Sequence, residues 1–261
     1  MNPSPATRFL AILSLTNLIL PILVVVPMSF SAASSLSFPP PGLSLRWYRS
    51  FFESEAWLDA MVMSLALATI SSTLGVILGS LAAYGLRRRN FNLKNVLEGN
   101  FMAPVILPSI ITAVALYIAL GRIGMLGTLT GLVVAHTLLV VPYVIVVMVV
   151  AIKSFDIRLE QVAWTMGASW FTTVRRVVIP LLAPNIAAAW IFAFVHSFDE
   201  VVVTSFIAGT YETIPKKMFS ELILEISPTI TSVASLLIGF TILCLMTAIW
   251  IQRLGKVSAA R

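Results

Sequence analysis

The stretch that decides the fold of this protein is residues 123–152, IGMLGTLTGLVVAHTLLVVPYVIVVMVVAI. These 30 residues include no Asp, Glu, Lys or Arg. A helix needs roughly 20 apolar residues to cross about 30 Å of hydrocarbon. The strands of a membrane barrel would instead give short segments of alternating hydrophobicity. The stretch therefore predicts a membrane-spanning helix.

Five further long runs lack these charged residues, three before this stretch and two after it. The pattern predicts an all-α integral membrane protein with six transmembrane helices in a single domain over residues 1–261. The first predicted span, at about 22 apolar residues, is longer than the core of a typical signal peptide, so a retained helix is expected. The predicted spans are about 9–30, 60–85, 100–120, 126–150, 184–208 and 232–251.

Composition agrees with this class. Hydrophobic residues make up 59% of the chain and charged residues 11%, against roughly a quarter charged in soluble domains. This excludes a soluble enzyme, a disordered chain and a disulfide scaffold. The net charge of +6 does not indicate a nucleic-acid partner, because in membrane proteins excess basic charge marks cytoplasmic loops.

The distribution of basic residues predicts the orientation. With the N-terminus inside, twelve of the seventeen Lys and Arg residues lie in inner segments, including Arg89 and Arg261. Both termini are therefore expected in the cytoplasm. The other five lie in outer segments: Arg46, Arg49, Arg122, Lys216 and Lys217.

Motifs for enzyme chemistry are absent from the sequence. No G-x-x-x-x-G-K-[ST] motif occurs, so any ATP that drives this protein must be bound by another chain. The two histidines, His136 and His196, are 60 residues apart, and Cys244 is the single cysteine, so no metal site is expected. A G-x-S-x-G hydrolase motif is also missing. A membrane enzyme is therefore disfavoured, and no cofactor bound by this chain is expected.

Small residues and prolines indicate where helices approach each other or break. Ser71, Gly75, Gly79 and Ala83 recur every four residues on the second span, which predicts a groove for close helix packing. Pro104 and Pro108 in the third span and Pro142 in the fourth are expected to kink or break those helices.

The fifth span has the most polar residues. In one continuous helix, His196, Asp199, Glu200 and Thr204, together with Ser197, would share a sector of roughly 160°. Because carboxylates are costly in a membrane, this sector is a candidate substrate pathway that attracts a cationic solute. The alternative is a structural role, in which the sector contacts a partner subunit or His196 and Glu200 satisfy each other.

The predicted cytoplasmic loop, residues 153–179, has the most specific pattern. Residues 159–169, LEQVAWTMGAS, predict a short helix that stops near Gly167. Such a helix forms a compact projection that can dock into a groove on a cytoplasmic partner, and the alternative is a helix lying on the membrane surface. The candidate docking residues are Glu160, Ala163, Gly167, Ala168 and Ser169.

This loop resembles the coupling segment of permease subunits of binding-protein-dependent ABC importers, whose signature is E-A-A-x3-G-x9-I-x-L-P. Gly167 matches the glycine, Val177 the isoleucine position, and Ile179 and Pro180 the last two positions. The E-A-A triplet reads Gln161-Val162-Ala163, so only its last residue is kept. The resemblance implies the type I importer permease fold, a location in the bacterial inner membrane, and docking of the loop on an ATPase.

A narrower resemblance is to the second permease subunit of the spermidine/putrescine subgroup. It rests on residues 197–203, SFDEVVV, on Ile214-Pro215 and on residues 227–230, SPTI. It implies polyamine import with two copies of a cytoplasmic ATPase, a second homologous permease subunit and a periplasmic solute-binding protein. The subgroup also includes importers of opines and 4-aminobutyrate-like solutes, so the cargo stays open. A self-sufficient secondary transporter is the remaining alternative.

Overall fold

The computed structural model describes residues 4–88, 93–224 and 227–259, and within them the secondary structure is helical apart from one isolated bridge between Ser31 and Leu43. Arg89 and Arg261, which were counted for the orientation, lie outside the described residues. The helices are α1 (Pro5–Ser29), α2 (Arg46–Glu53), α3 (Glu55–Arg88), α4 (Lys94–Ile106), α5 (Ser109–Arg122), α6 (Leu129–Ser154), α7 (Arg158–Thr165), α8 (Trp170–Thr173), α9 (Ile179–Phe198), α10 (Val202–Ile207), α11 (Ile214–Leu224) and α12 (Thr229–Ala259).

Within these described ranges, five helical segments are long and apolar enough to cross a membrane, and a bent pair makes a sixth if it is counted as one span. Four of the five lie close to the first, second, fourth and sixth predicted spans. The five segments are Thr7–Ser29, Glu55–Arg87, Leu129–Ser154, Trp170–Phe198 and Thr229–Arg253.

The bent pair replaces the third predicted span. Its two parts, Val96–Ile106 and Ser109–Arg122, meet at an angle of 108°. The break lies at Leu107 and Pro108, as the proline predicted. A proline disfavours the helical conformation in the residue before it. Leu107 accordingly has an extended ψ of 141°. At Pro142 the helix does not break, since Pro142 lies inside the continuous helix α6, and a kink there stays a prediction.

The fifth predicted span, 184–208, requires correction. The helix begins earlier, because α8 continues through a π-helical turn, Val174–Val178, into α9. It also ends earlier, at Phe198, and α10 starts again at Val202. The predicted loop 153–179 is therefore helical over its last ten residues. The break at residues 199–201 places the two adjacent carboxylates, Asp199 and Glu200, outside a continuous apolar helix.

The chain divides into two compact units. The first contains the residues up to Asp59 together with Lys217–Ile242. Within it, the hydroxyls of Ser29 and Tyr48 are hydrogen-bonded at 2.7 Å, and the Lys217 ammonium lies 5.2 Å from the ring centre of Trp57. The second unit contains Ala60–Lys216 and the residues from Leu243 onward. The single domain expected over residues 1–261 stays a prediction.

The second unit is built on close packing of α3 against α6, as the small-residue pattern predicted. A side chain at Gly75 would meet Val140, and a Cβ at Gly79 would lie 2.7 Å from Val144 Cγ1. α9 packs against α6 and reaches α3, where the Trp190 Nε1–H donates to the Thr73 hydroxyl at 3.0 Å, and α10 packs against α5. Two buried apolar clusters fill this unit, one around Val144 and Met148 and one around Leu132 and Val203.

Candidate functional site

The helix α7 ends in a Schellman motif centred on Gly167. The N–H of Gly167 donates to the Trp164 carbonyl at 2.9 Å, and the N–H of Ala168 donates to the Ala163 carbonyl at 3.0 Å. Gly167 has φ of +83°, a left-handed conformation that L side chains rarely adopt. The predicted helix stop at Gly167 is confirmed, and both bonds are backbone bonds, so the altered triplet Gln161-Val162-Ala163 does not disturb it.

One side of α7 is fixed to the membrane helices and the other is open. Glu160 is 2% exposed, and the Tyr84 hydroxyl of α3 donates to its Oε2 at 3.0 Å. On the open side, Val162 is 54% exposed and Met166 82% exposed. A Cβ at Gly167 would meet no atom within 4 Å. The arrangement is an apolar projection held at its base by a buried carboxylate.

Ser169 begins the helical segment that leads into the fifth span. Its hydroxyl accepts the N–H of Thr172 at 3.3 Å, which makes it the N-cap of α8. α8 is continuous with α9 through the π-helical turn, so one helical segment leads from Trp170 to Phe198. The structure thus brings Glu160, Ala163, Gly167, Ala168 and Ser169 into one segment.

The candidate substrate residues do not share one helix face, because the helix breaks between them. Glu200 Oε1 accepts the N–H of Val203 at 2.8 Å, so its carboxylate caps the start of α10. Thr204 is fully buried, and its hydroxyl donates to the Glu200 carbonyl at 2.9 Å. Burial raises the pKa of the Glu200 carboxyl, and the Val203 N–H bond opposes this shift. Both side chains therefore contribute to the break itself.

His196 and Asp199 occupy different surroundings. The ring centres of His196 and Tyr143 lie 4.2 Å apart, and the i, i+4 pairing of His196 with Glu200 does not form. Asp199 is the C-cap of α9, with its side chain exposed, and partial burial raises the pKa of its carboxyl. Of the four predicted residues, these two remain available to a solute.

Sequence reasoning missed the role of His136. This side chain, 1% exposed, is hydrogen-bonded through Nδ1 to the Ser197 hydroxyl at 2.8 Å and through Nε2 to the Thr204 hydroxyl at 2.9 Å. Because Thr204 already donates to the Glu200 carbonyl, Nε2 must donate to Thr204, and Nδ1 accepts from Ser197. A histidine in an apolar span needs polar partners, so the position of His136 in the sequence already indicated a buried hydrogen-bonded contact.

Metal binding has no support in the part of the chain that the structure describes. No group of three His, Cys, Asp or Glu side chains there is placed to hold a metal ion. The polar centre of the second unit is instead a hydrogen-bonded clamp, in which His136 of α6 joins the end of α9 to α10.

Comparison with known proteins identifies the class. Residues 75–256 match the family of binding-protein-dependent transport system inner membrane components, and the chain belongs to this family. It is therefore an inner-membrane permease subunit of a binding-protein-dependent ABC importer.

Particular relatives agree with this assignment. The chain is 30% identical to the spermidine/putrescine transport system permease protein PotC of Escherichia coli (strain K12), over 90% of this chain and 89% of PotC. It is also 30% identical to the putrescine transport system permease protein PotI of the same strain, over 100% of this chain and 99% of PotI.

A solved structure agrees with the fold. A bacterial ABC transporter involved in import of the acidic polysaccharide alginate superposes with a TM-score of 0.67 at 15% identity, covering 97% of this chain and 98% of that chain. The importer permease fold expected from the coupling segment is confirmed.

Proposed function

We propose that this permease admits small organic polycations, putrescine or spermidine, across the bacterial inner membrane. The observation that carries this proposal is the 30% identity, over nearly the full chain, to two permeases of polyamine systems. The exposed carboxylate of Asp199 at the end of α9 supports it, because the C-terminal end of a helix and a carboxylate both favour a cation.

The proposed assembly has four further chains. Two copies of a cytoplasmic ATPase bind and hydrolyse ATP, a second homologous permease completes the pathway, and a periplasmic solute-binding protein delivers the cargo. The chain itself has both termini in the cytoplasm and no covalent chemistry. The α7 projection, from Glu160 to Ser169, docks on the ATPase and transmits its movement to α9 through the continuous helix that starts at Trp170.

Uptake of labelled solutes tests the cargo. Cells that express the complete transporter and lack other polyamine importers should accumulate labelled putrescine or spermidine, and unlabelled polyamine should compete. Preferential uptake of 4-aminobutyrate or an opine would contradict the polyamine proposal and leave the importer class intact.

Co-purification tests the assembly. The tagged chain, expressed with its neighbouring transport genes, should retain an ATPase whose hydrolysis is stimulated by the loaded solute-binding protein. Gradient-driven flux through the purified chain alone, without an ATPase, would overturn the coupled mechanism.

A further inference from the structure

Several polar side chains lie along one face of α9 without partners. At 100° per residue, Asn185, Phe192, His196 and Asp199 lie within about 60° of one another. The side chains of Asn185 and His196 make no hydrogen bond with any other described residue. Such groups are costly against lipid, so this face is expected to contact water, substrate or protein.

Aromatic rings of α6 and α9 lie along the same face. Tyr143 has its ring centre 5.9 Å from that of Phe192 and 4.2 Å from that of His196. The Tyr143 hydroxyl, too, has no hydrogen-bond partner among the residues that the structure describes. Phe192 is 45% exposed, so part of its ring is open to a ligand.

Two cavities continue this face toward the α7 end of the second unit. One of about 130 Å³ is lined by Phe192, Ala188 and Gln252. The next, of about 410 Å³, is lined by Asn185, Asp156 and Gln252, together with Ser154. Because Gln252 of α12 lines both, the cavities adjoin. No lysine or arginine is among the described residues that line either cavity.

The charges on this face suit a cation. Asp199 lies at one end of α9. Asp156, just beyond the end of α6, lies at the larger cavity, where its side chain is exposed and its Oδ1 accepts the N–H of Arg158 at 2.9 Å. Asn185 and Asp199 are about 21 Å apart along the helix axis, at 1.5 Å per residue. Between the two carboxylates, Tyr143 and Phe192 offer ring faces to which an alkylammonium group is attracted.

We propose that Asp199, His196, Tyr143, Phe192, Asn185 and Asp156 line the route of an organic diammonium ion through this subunit. Asp199 receives the leading ammonium group, the rings of Tyr143 and Phe192 hold it in the middle of the membrane, and Asn185 passes it to the cavity at Asp156. This inference rests on the proposed polyamine cargo. It leaves Glu200 and Thr204 out of the route, because their polar atoms form hydrogen bonds within the helix break.

Cysteine accessibility in the complete transporter tests the route. In a Cys244→Ser background, Asn185→Cys, Phe192→Cys and His196→Cys should react with a cationic methanethiosulfonate reagent added to inside-out or right-side-out vesicles. Putrescine, presented with the solute-binding protein and ATP, should slow each reaction at least threefold. The matched control is Ala183→Cys, which is exposed on the opposite side of α9, about 160° from Asn185, and should show no protection by putrescine.

The outcomes separate this route from the cargo proposal. If the transporter takes up putrescine while all three cysteines stay unreactive, or react without protection, the route is wrong and the cargo stands. If the three cysteines are protected only by a non-cationic solute that the complex transports, the diammonium assignment and the cargo are both wrong.

Substitution of Phe192 tests the aromatic step. Phe192→Leu should raise the KM for putrescine about tenfold with little change in maximal rate, because the cation–π attraction is lost, and Phe192→Tyr should restore the KM. Equal KM values for the Leu and Tyr variants, or equal loss of assembled complex in Phe192→Leu, would assign Phe192 to packing and contradict the aromatic step.

Discussion

The α7 projection and the break in the fifth span are stabilised by different kinds of interaction. Two backbone bonds within a few residues stop α7 at Gly167. The break between α9 and α10 depends on His136, which is more than sixty residues away along the chain. The α7 projection is therefore encoded locally, whereas the break between α9 and α10 is encoded by contacts between helices. The two should therefore respond differently to substitution.

Substitution of His136 should give the largest effect of the four, a loss of stability at the break between α9 and α10. His136→Leu leaves the hydroxyls of Ser197 and Thr204 without their partner in a buried site, which should lower the free energy of unfolding by about 2–5 kcal/mol. Thermal unfolding of the purified complex measures this. Adding Ser197→Ala and Thr204→Val to His136→Leu should recover part of the loss, since removing both partners costs less than removing one. Strictly additive losses would contradict the clamp.

The second-largest effect is expected for transport, from a substitution in the α7 projection. Gly167→Asp should reduce transport more than tenfold while the amount of inserted protein is unchanged. The reason is that a side chain at Gly167 meets no atom of this chain within 4 Å but projects toward the docking partner. Uptake divided by membrane abundance is the measurement. Gly167→Asn is the matched control, because asparagine tolerates the left-handed conformation and carries no charge. Normal transport by Gly167→Asp would rule out docking at this residue.

The base of the projection should show an intermediate effect. Tyr84→Phe removes the 3.0 Å bond to Glu160 and should reduce the ATPase stimulation by loaded receptor about fivefold, since a hydrogen bond to a charged group contributes about 1.5–3 kcal/mol and Tyr84 is only partly buried. Basal ATP hydrolysis serves as the control. A variant with wild-type stimulation would show that Glu160 needs no anchor on α3.

The smallest effect distinguishes two adjacent carboxylates. Asp199→Asn should raise the KM for putrescine about threefold without loss of assembled complex, because solvent screens the interaction of this exposed carboxylate with a cation. Glu200→Gln should instead reduce thermal stability by about 1 kcal/mol with an unchanged KM, because Glu200 caps α10. The reverse pattern would assign the solute contact to Glu200.

The sequence predicts much of the fold because membrane spans have a local signal. Runs without charge predicted the spans, Gly167 predicted the end of α7, and Pro108 predicted a break that the structure places at Leu107 and Pro108. Pro142 gives no break, since α6 stays continuous around it, so a proline alone does not tell a kink from a break.

The candidate site was less predictable, because it depends on contacts between helices. Helical periodicity assumes an unbroken helix, so it placed Thr204 on the same face as Asp199, whereas the break turns Thr204 toward His136. No local pattern indicates that Glu200 caps α10 or that Tyr143 contacts His196. These contacts become visible only when α6 is packed against α9.

The glycines of α3 have a consequence for movement of the transporter. Gly75 and Gly79 let Val140 and Val144 of α6 lie directly against α3, and Tyr84 of α3 is bonded to Glu160 of α7. α3 is therefore in contact with both α6 and α7, whereas the helical path is interrupted at Leu107–Pro108 and at residues 199–201. The helices that follow these two breaks, α5 and α10, pack against each other, and the Gly127 N–H donates to the Ile207 carbonyl at 3.0 Å. We expect a displacement applied at α7 to bend the chain at the two breaks and to move α5 and α10 together.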